Sequence, residues 1–248
     1  MDANLKFMEK VSTEELEIFV DVMIKKGGIT ERLTKSKEYN AYQKEYKLYL
    51  GTIMDEYQKF GTNTVVNMFG KPKSYKEILC DVSKKMNVKF DEDFSTSTIE
   101  TLLLERILLD IWEAASPEEK VALKKEMKEK YGNIPRDDVP ILLEVFRTDG
   151  VGAYKIILMI EDALAIKTLG RGVKSAAKFA LVRLFGSFLG GPISLVLNTY
   201  LAITDIAGPA YRVTIPCTVL IAAMRKKIEI KERLNVQDED ELLNMMQA

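Results

Sequence analysis

Residues 184–204 read LFGSFLGGPISLVLNTYLAIT, and residues 203–216 read ITDIAGPAYRVTIP. The first stretch has no charged residue, in a chain in which 29% of residues are Asp, Glu, Lys or Arg. The second sets one acid and one base, Asp205 and Arg212, on either side of Gly208-Pro209. From Val173 to Met224 the charged residues are Lys174, Lys178, Arg183, Asp205 and Arg212. Glycine and proline divide this region into three apolar pieces, at about 173–189, 192–207 and 209–224. Gly190-Gly191-Pro192 reads as a helix stop followed by a proline at the first position of the next helix, and Gly208-Pro209 repeats that grammar. A helix of about 16 residues is about 24 Å long. A bilayer core is about 30 Å thick and asks for about 20 apolar residues in one helix. Each piece falls short, so the composition predicts a buried apolar helical hairpin wrapped by amphipathic helices. In an antiparallel turn at the second hinge, Asp205 and Arg212 sit at similar heights on facing helices. A carboxylate–guanidinium pair there would act as a structural pin, since either group alone is costly to bury. Arg183 lies too near its own turn to join that pairing.

The rest of the chain is punctuated for helices. Ser12-Thr13-Glu14-Glu15 has capping-box spacing, Leu16, Phe19, Val20, Met23 and Ile24 follow at helical intervals, and Gly27-Gly28 supplies a stop. A second helix is expected from about Ser36 to Phe60, with a stripe of Tyr39, Tyr42, Tyr46, Tyr49, Ile53, Tyr57 and Phe60. That stripe could stack bases or meet a partner, but a core-facing row with hydroxyls at the rim is the plainer reading. Ser74–Glu77 and Ser97–Glu100 repeat the capping-box spacing. Leu102 to Trp112 then carries a wide apolar stripe. Ser116-Pro117-Glu118-Glu119 is a helix start, with acids where the macrodipole favours them. The acidic pairs Glu118/Glu119 and Asp137/Asp138 are therefore read as helix starts, not catalytic dyads. No series of alternating strands with tight hairpin turns is present. YRVTIP and KIEIKER are locally β-like, and are read as helical or irregular.

The fold class expected is all-α: a multi-helix bundle of amphipathic helices around the apolar C-terminal hairpin. Residues 1–34 form a short N-terminal helical module, 35–149 an amphipathic helical region, 150–234 the apolar core and 235–248 a polar tail.

Composition excludes several chemistries. The 248 residues carry 36 basic and 37 acidic side chains, so global charge gives no sign of a nucleic-acid partner. Histidine is absent, which removes Ser-His-Asp triads, Cys-His pairs and His-ligated zinc. Two cysteines, Cys80 and Cys217, cannot build a four-thiolate zinc site, and their apolar settings suit buried thiols in a reducing compartment. The start, MDANLKFMEK, lacks the pattern of a signal peptide. Gly170-Arg171-Gly172-Val173-Lys174-Ser175 superficially resembles a P-loop, but Val173 stands where glycine must precede the lysine, and no strand leads in. No cofactor or metal is expected.

The same region holds a basic row, Lys167, Arg171, Lys174 and Lys178, spaced four, three and four. These would share a face if one helix continued through the glycines. A solvated face is the plainest reading. Contact with an anionic membrane surface is the second, and nucleic-acid binding the third.

At WEAASPEEK (112–120), and above all at ITDIAGPAYRVTIPCTVLIAAMR (203–225), the chain resembles the YaaW-like family of bacterial proteins. In that family a short N-terminal domain of unknown function precedes a region related to ubiquinol–cytochrome c chaperones. LKFMEKVSTEELEIFVDVMIKKG (5–27) is similar to the short N-terminal domain. The resemblance implies a helical, chaperone-like protein and brings no catalytic residues with it. The expected function is thus a non-enzymatic α-helical interaction protein that binds a protein client, as a chaperone or assembly factor does. The alternative is a membrane-associating or membrane-inserting effector using the hairpin 173–224. The corresponding location is cytoplasmic, with membrane association under the alternative. An enzyme using carboxylate or lysine chemistry would need a polar pocket with convergent Asp, Glu or Lys.

Overall fold

Serines begin half of the described α-helices in the computed structural model, which describes residues 1–62, 72–131, 140–148, 150–172, 191–203 and 209–236. Ser12 caps α1 (Thr13–Gly27) in a complete capping box with Glu15, and Ser74 caps α4 (Tyr75–Lys85) in another with Glu77. Ser36 caps α2 (Lys37–Tyr42). Ser116 accepts from Glu119 N and precedes Pro117, the first residue of α6 (Pro117–Tyr131). Each serine satisfies an amide that the first helical turn leaves without a partner. Gly28, at φ 53°, closes α1 as expected.

Two boundaries differ from the sequence reading. The cap of α5 (Thr96–Ala114) is Ser95, which accepts from Thr98 N at 3.1 Å, not Ser97. Glu100, expected in a capping box, is instead buried in the core. The expected helix from Ser36 to Phe60 is broken. It ends with α2, turns at Gln43 (φ 45°), passes through a 3-10 turn at Tyr46–Tyr49, and resumes as α3 (Leu50–Phe60). The tyrosines explain the break. The Tyr49 ring packs against Tyr39, Tyr42 and Tyr46, and its hydroxyl donates to Gln43 O. Folding back brings these rings together where a straight helix would string them out.

Three more helices, α7 (Ile141–Thr148), α8 (Gly150–Leu169) and α9 (Pro192–Leu201), precede the last, α10 (Tyr211–Leu234). Both β-like runs, YRVTIP and KIEIKER, lie in α10. No β-strand occurs among the described residues, and the fold is all-α.

The centre is α10, packed against α8, α1, α5, α4 and α3. Every residue from Val213 to Met224 is buried. The neighbouring α8 is buried from Gly152 to Ala165. The burial of α10 matches the expectation for 209–224, but the helix does not stop there. It runs on to Leu234, and carboxylates from other helices receive Arg225 and Lys227. Pro216 sits inside it, where proline removes one ladder bond and crowds the Arg212 carbonyl. N-terminal residues Ala3–Lys10 form a 3-10 helix that buries Leu5 and Met8. Among the described residues no helix is long and apolar enough to cross a membrane.

Candidate functional site

Among the buried charged side chains, two clusters form on cations from the second half of α10. Lys227, 3% exposed, reaches Glu161 of α8 at 2.5 Å and Glu15 of α1. Glu15 serves twice: Oε2 accepts from Ser12 N at 3.0 Å, while Oε1 meets the ammonium. One lysine thus ties three helices. The two carboxylates overcome burial and push the Lys227 ammonium up, so it stays charged. Lys227 and the Ser12 bonds together hold the Glu15 carboxyl at about 2, against the opposing effect of burial. A cavity of about 450 Å³ opens beside this cluster, lined by Lys10, Ser12, Tyr154, Lys231 and Glu232 among others. Lys10 and Glu232 pair across its mouth at 2.8 Å.

Two residues earlier, Arg225 donates from Nε to Glu100 of α5 at 2.5 Å and from Nη2 to Asn4 O at 2.5 Å, with its guanidinium over the Phe7 ring. The Tyr75 hydroxyl donates to the other Glu100 oxygen at 2.5 Å. Burial pushes the Glu100 carboxyl up to about 7, against the pull of Arg225 and Tyr75.

These geometries decide what chemistry the cavity can do. A general base or acid works best with a pKa near the operating pH. In the cavity, Lys227 is locked in its cationic form and Glu15 in its anionic form. Glu100 is poised near neutrality but does not line the cavity. Among the described residues no group of His, Cys, Asp and Glu could hold a metal ion. Cys217 is buried and pushed well up by burial, so its thiol stays protonated.

The residues singled out from the sequence fare differently. Asp205 lies outside the described residues, and with it the expected pin. Its partner Arg212 donates from Nε to Lys26 O at 3.0 Å and from Nη2 to Thr30 Oγ1 at 3.1 Å, joining α10 to the end of α1. Of the hinges, Gly190 and Gly208 lie outside the described residues. Gly191 precedes α9, Pro192 is its first residue, and Pro209 leads into α10, where Ala210 N donates to Phe60 O at 2.8 Å. Lys174 and Lys178 also lie outside. The other two members of the basic row do not share one helix: α8 ends at Leu169, Gly170 takes φ 75°, and the Arg171 guanidinium turns onto Asp21 of α1. Lys167 is exposed.

The described part of the uncharged run is α9, which packs on α5, α8 and α10. Pro192, Ile193, Val196 and Leu197 face inward and are buried. Tyr200 donates to Asp110 of α5. Leu195, Asn198, Thr199 and Ala202 face outward and are exposed.

Sequence reasoning missed Lys227, Arg225, Glu161 and Glu100 as partners. One signal was available: Glu161-Asp162 interrupts the otherwise apolar run IILMI–ALAI, where an acid implies a buried cation. The source of that cation, 66 residues downstream, left no local mark.

Over 235 residues the chain is 33% identical to a UPF0174 protein of Helicobacter pylori (strain J99), covering 92% of each chain. It is 35% identical over 210 residues to a UPF0174 protein of Helicobacter pylori (strain 26695), covering 82% of this chain and all of that one. It is 28% identical over 239 residues to the UPF0174 protein YaaW of Escherichia coli K12, covering 92% of this chain and 95% of that one. No family model matches the chain, and no solved structure does.

Proposed function

We propose that this chain, which belongs to the UPF0174 family, is a non-enzymatic helical interaction protein that engages a protein client through α9, in the manner of a chaperone or assembly factor. The observation that carries the reading is the outer face of α9. Leu195, Asn198, Thr199 and Ala202 recur at helical spacing, all exposed, on a helix with no charged residue. Such a face is out of keeping with a surface where charge is otherwise abundant. Depletion of charge around an apolar anchor is the compositional mark of a protein interface. The mixture also favours protein over lipid: the Asn198 amide would be costly in hydrocarbon, whereas a partner's surface can hydrogen-bond it. The non-enzymatic part of the reading is supported by the buried pair beside the cavity, in which Lys227 is held cationic and Glu15 anionic.

Position-specific photocrosslinking in cells that express the chain tests this. A photoreactive residue at position 195 should give a discrete adduct with a partner, weakened by Thr199→Lys. The same residue at position 121, an exposed valine on charged α6, controls for indiscriminate apolar contact. No adduct at 195, or equal adducts at both positions, removes the proposal. Recovery of lipid but not protein adducts at 195 would move the reading to the membrane-associating alternative.

A further inference from the structure

We propose that the surface formed by residues 25–37, tipped by Ile29, docks on an anionic lipid bilayer. The proposal uses no residue of α9 and does not rest on the client-binding reading.

Ile29 is 96% exposed, the most of any large apolar side chain described. A lone exposed apolar residue needs no explanation by itself. Here, however, the turn that displays it is built. Gly27 fits because a Cβ there would lie 2.8 Å from the Phe60 ring, and Gly28 takes φ 53°. Thr30 Oγ1 donates to Gly27 O at 2.8 Å, and Arg212 of α10 bonds both Lys26 O and Thr30 Oγ1. The turn is therefore anchored at both ends to α1 and the central helix, and Ile29 projects from a fixed base.

The charge around it is one-sided. Lys25, Lys26, Arg32, Lys35 and Lys37 flank the tip in sequence. None of these side chains meets a carboxylate among the described residues. Two of the local acids are turned inward, while Glu38, next to Lys37, is exposed. Glu31, 4% exposed, accepts from Thr34 N and Thr34 Oγ1, both at 2.7 Å. Glu56, 3% exposed, accepts from Arg32 N at 2.6 Å. The Lys26 ammonium is pushed down, first by burial and then by the like charge of Lys25. In a chain of net charge −1 this is a local field, not a global one.

An aliphatic tip flanked in sequence by lysines matches the two demands of an anionic interface: apolar area to bury among the acyl chains and cations at headgroup level. Single-stranded nucleic acid would ask for a stacking ring at the tip, and isoleucine has none.

The test is flotation of the full-length chain with vesicles of phosphatidylcholine alone, and with about one third phosphatidylglycerol added. The wild type should bind the anionic vesicles and not the neutral ones, with affinity falling as salt is raised. Ile29→Ser should weaken binding about tenfold. Lys25→Ser with Lys35→Ser should weaken it about 25-fold, about fivefold for each cation. Val121→Ser should change nothing. All these positions are exposed, and circular dichroism and a thermal melt confirm that each variant folds. Equal binding to neutral vesicles, no binding to anionic ones, or wild-type binding by Ile29→Ser or by the double lysine variant would each overturn the proposal. So would heparin or DNA binding that outcompetes the vesicles and ignores Ile29→Ser.

Discussion

Lys227→Ala should destabilise the fold by about 3–5 kcal/mol, because it strands Glu15 and Glu161 without their cation. Lys227→Met combined with Glu15→Gln and Glu161→Gln should cost markedly less than the single change, since no unpaired charge then stays buried. Urea titration of the two variants measures the difference, and equal losses would show that the lysine acts through packing alone. Glu100 offers a second test at this scale, through pH. Its carboxyl is raised from 4.5 to about 7, so between those values the folded chain holds a proton that the unfolded chain has released. Stability from this group is therefore full below about pH 4.5 and is lost as pH rises through about 7, by an amount on the order of 3 kcal/mol. Glu15 works in the opposite sense. Its carboxyl is lowered to about 2, so its contribution is present above about pH 4.5 and is lost as pH falls through about 2. Denaturation midpoints for Glu100→Gln across pH 5 to 8 should show a flatter profile than wild type. An unchanged slope would mean that the wild-type dependence has another source.

At the scale of elements, Gly28→Ala isolates backbone conformation from packing. A Cβ at Gly28 meets nothing within 4 Å, but the residue adopts φ 53° with ψ −128°, a region closed to side-chain-bearing residues. The expected cost is about 1–3 kcal/mol, read as a lower melting temperature, and no change would show that the turn relaxes freely. This glycine was legible in the sequence, and the reason is general. Caps and stops are local chemistry, so Ser12, Ser36, Ser74, Ser116 and Gly28 could be placed from a few neighbouring letters. What the letters could not show was decided by contacts far apart in the chain. The tyrosine stripe of 39–60 has sound helical spacing, yet ring packing about Tyr49 folds it into two helices and a 3-10 turn. The helix that holds the apolar piece 209–224 runs on for another ten residues of mostly polar sequence, where Glu100, Glu15 and Glu161 accept Arg225 and Lys227. Periodicity reports which face is apolar but is silent about where a charged residue finds its partner. The candidate site was less legible than the fold for the same reason: its residues come from α1, α5, α8 and α10.

At the scale of the molecule, the ties on α10 make the N-terminal residues part of the same core. Lys227 binds Glu15 of α1, and Arg225 binds Asn4 O. Leu5, Met8 and Val11 are each 1% exposed or less. Their burial alone is worth about 5 kcal/mol, a large part of the 5–15 kcal/mol that holds typical domains folded. Unfolding should therefore be one event across the described helices, not the loss of an N-terminal module followed by the rest. Trp112 on α5, the sole tryptophan, reports on a part of the molecule distant in sequence from that segment. Its fluorescence and the far-ultraviolet circular dichroism should give superimposable urea transitions in the wild type. Deleting residues 1–11 should then lower both midpoints together, or abolish the cooperative transition altogether, because removing the segment opens the core beneath it. An early circular-dichroism loss with Trp112 unchanged, or a truncated chain that melts like the full-length one, would show that the N-terminal segment sits on the bundle without supporting it.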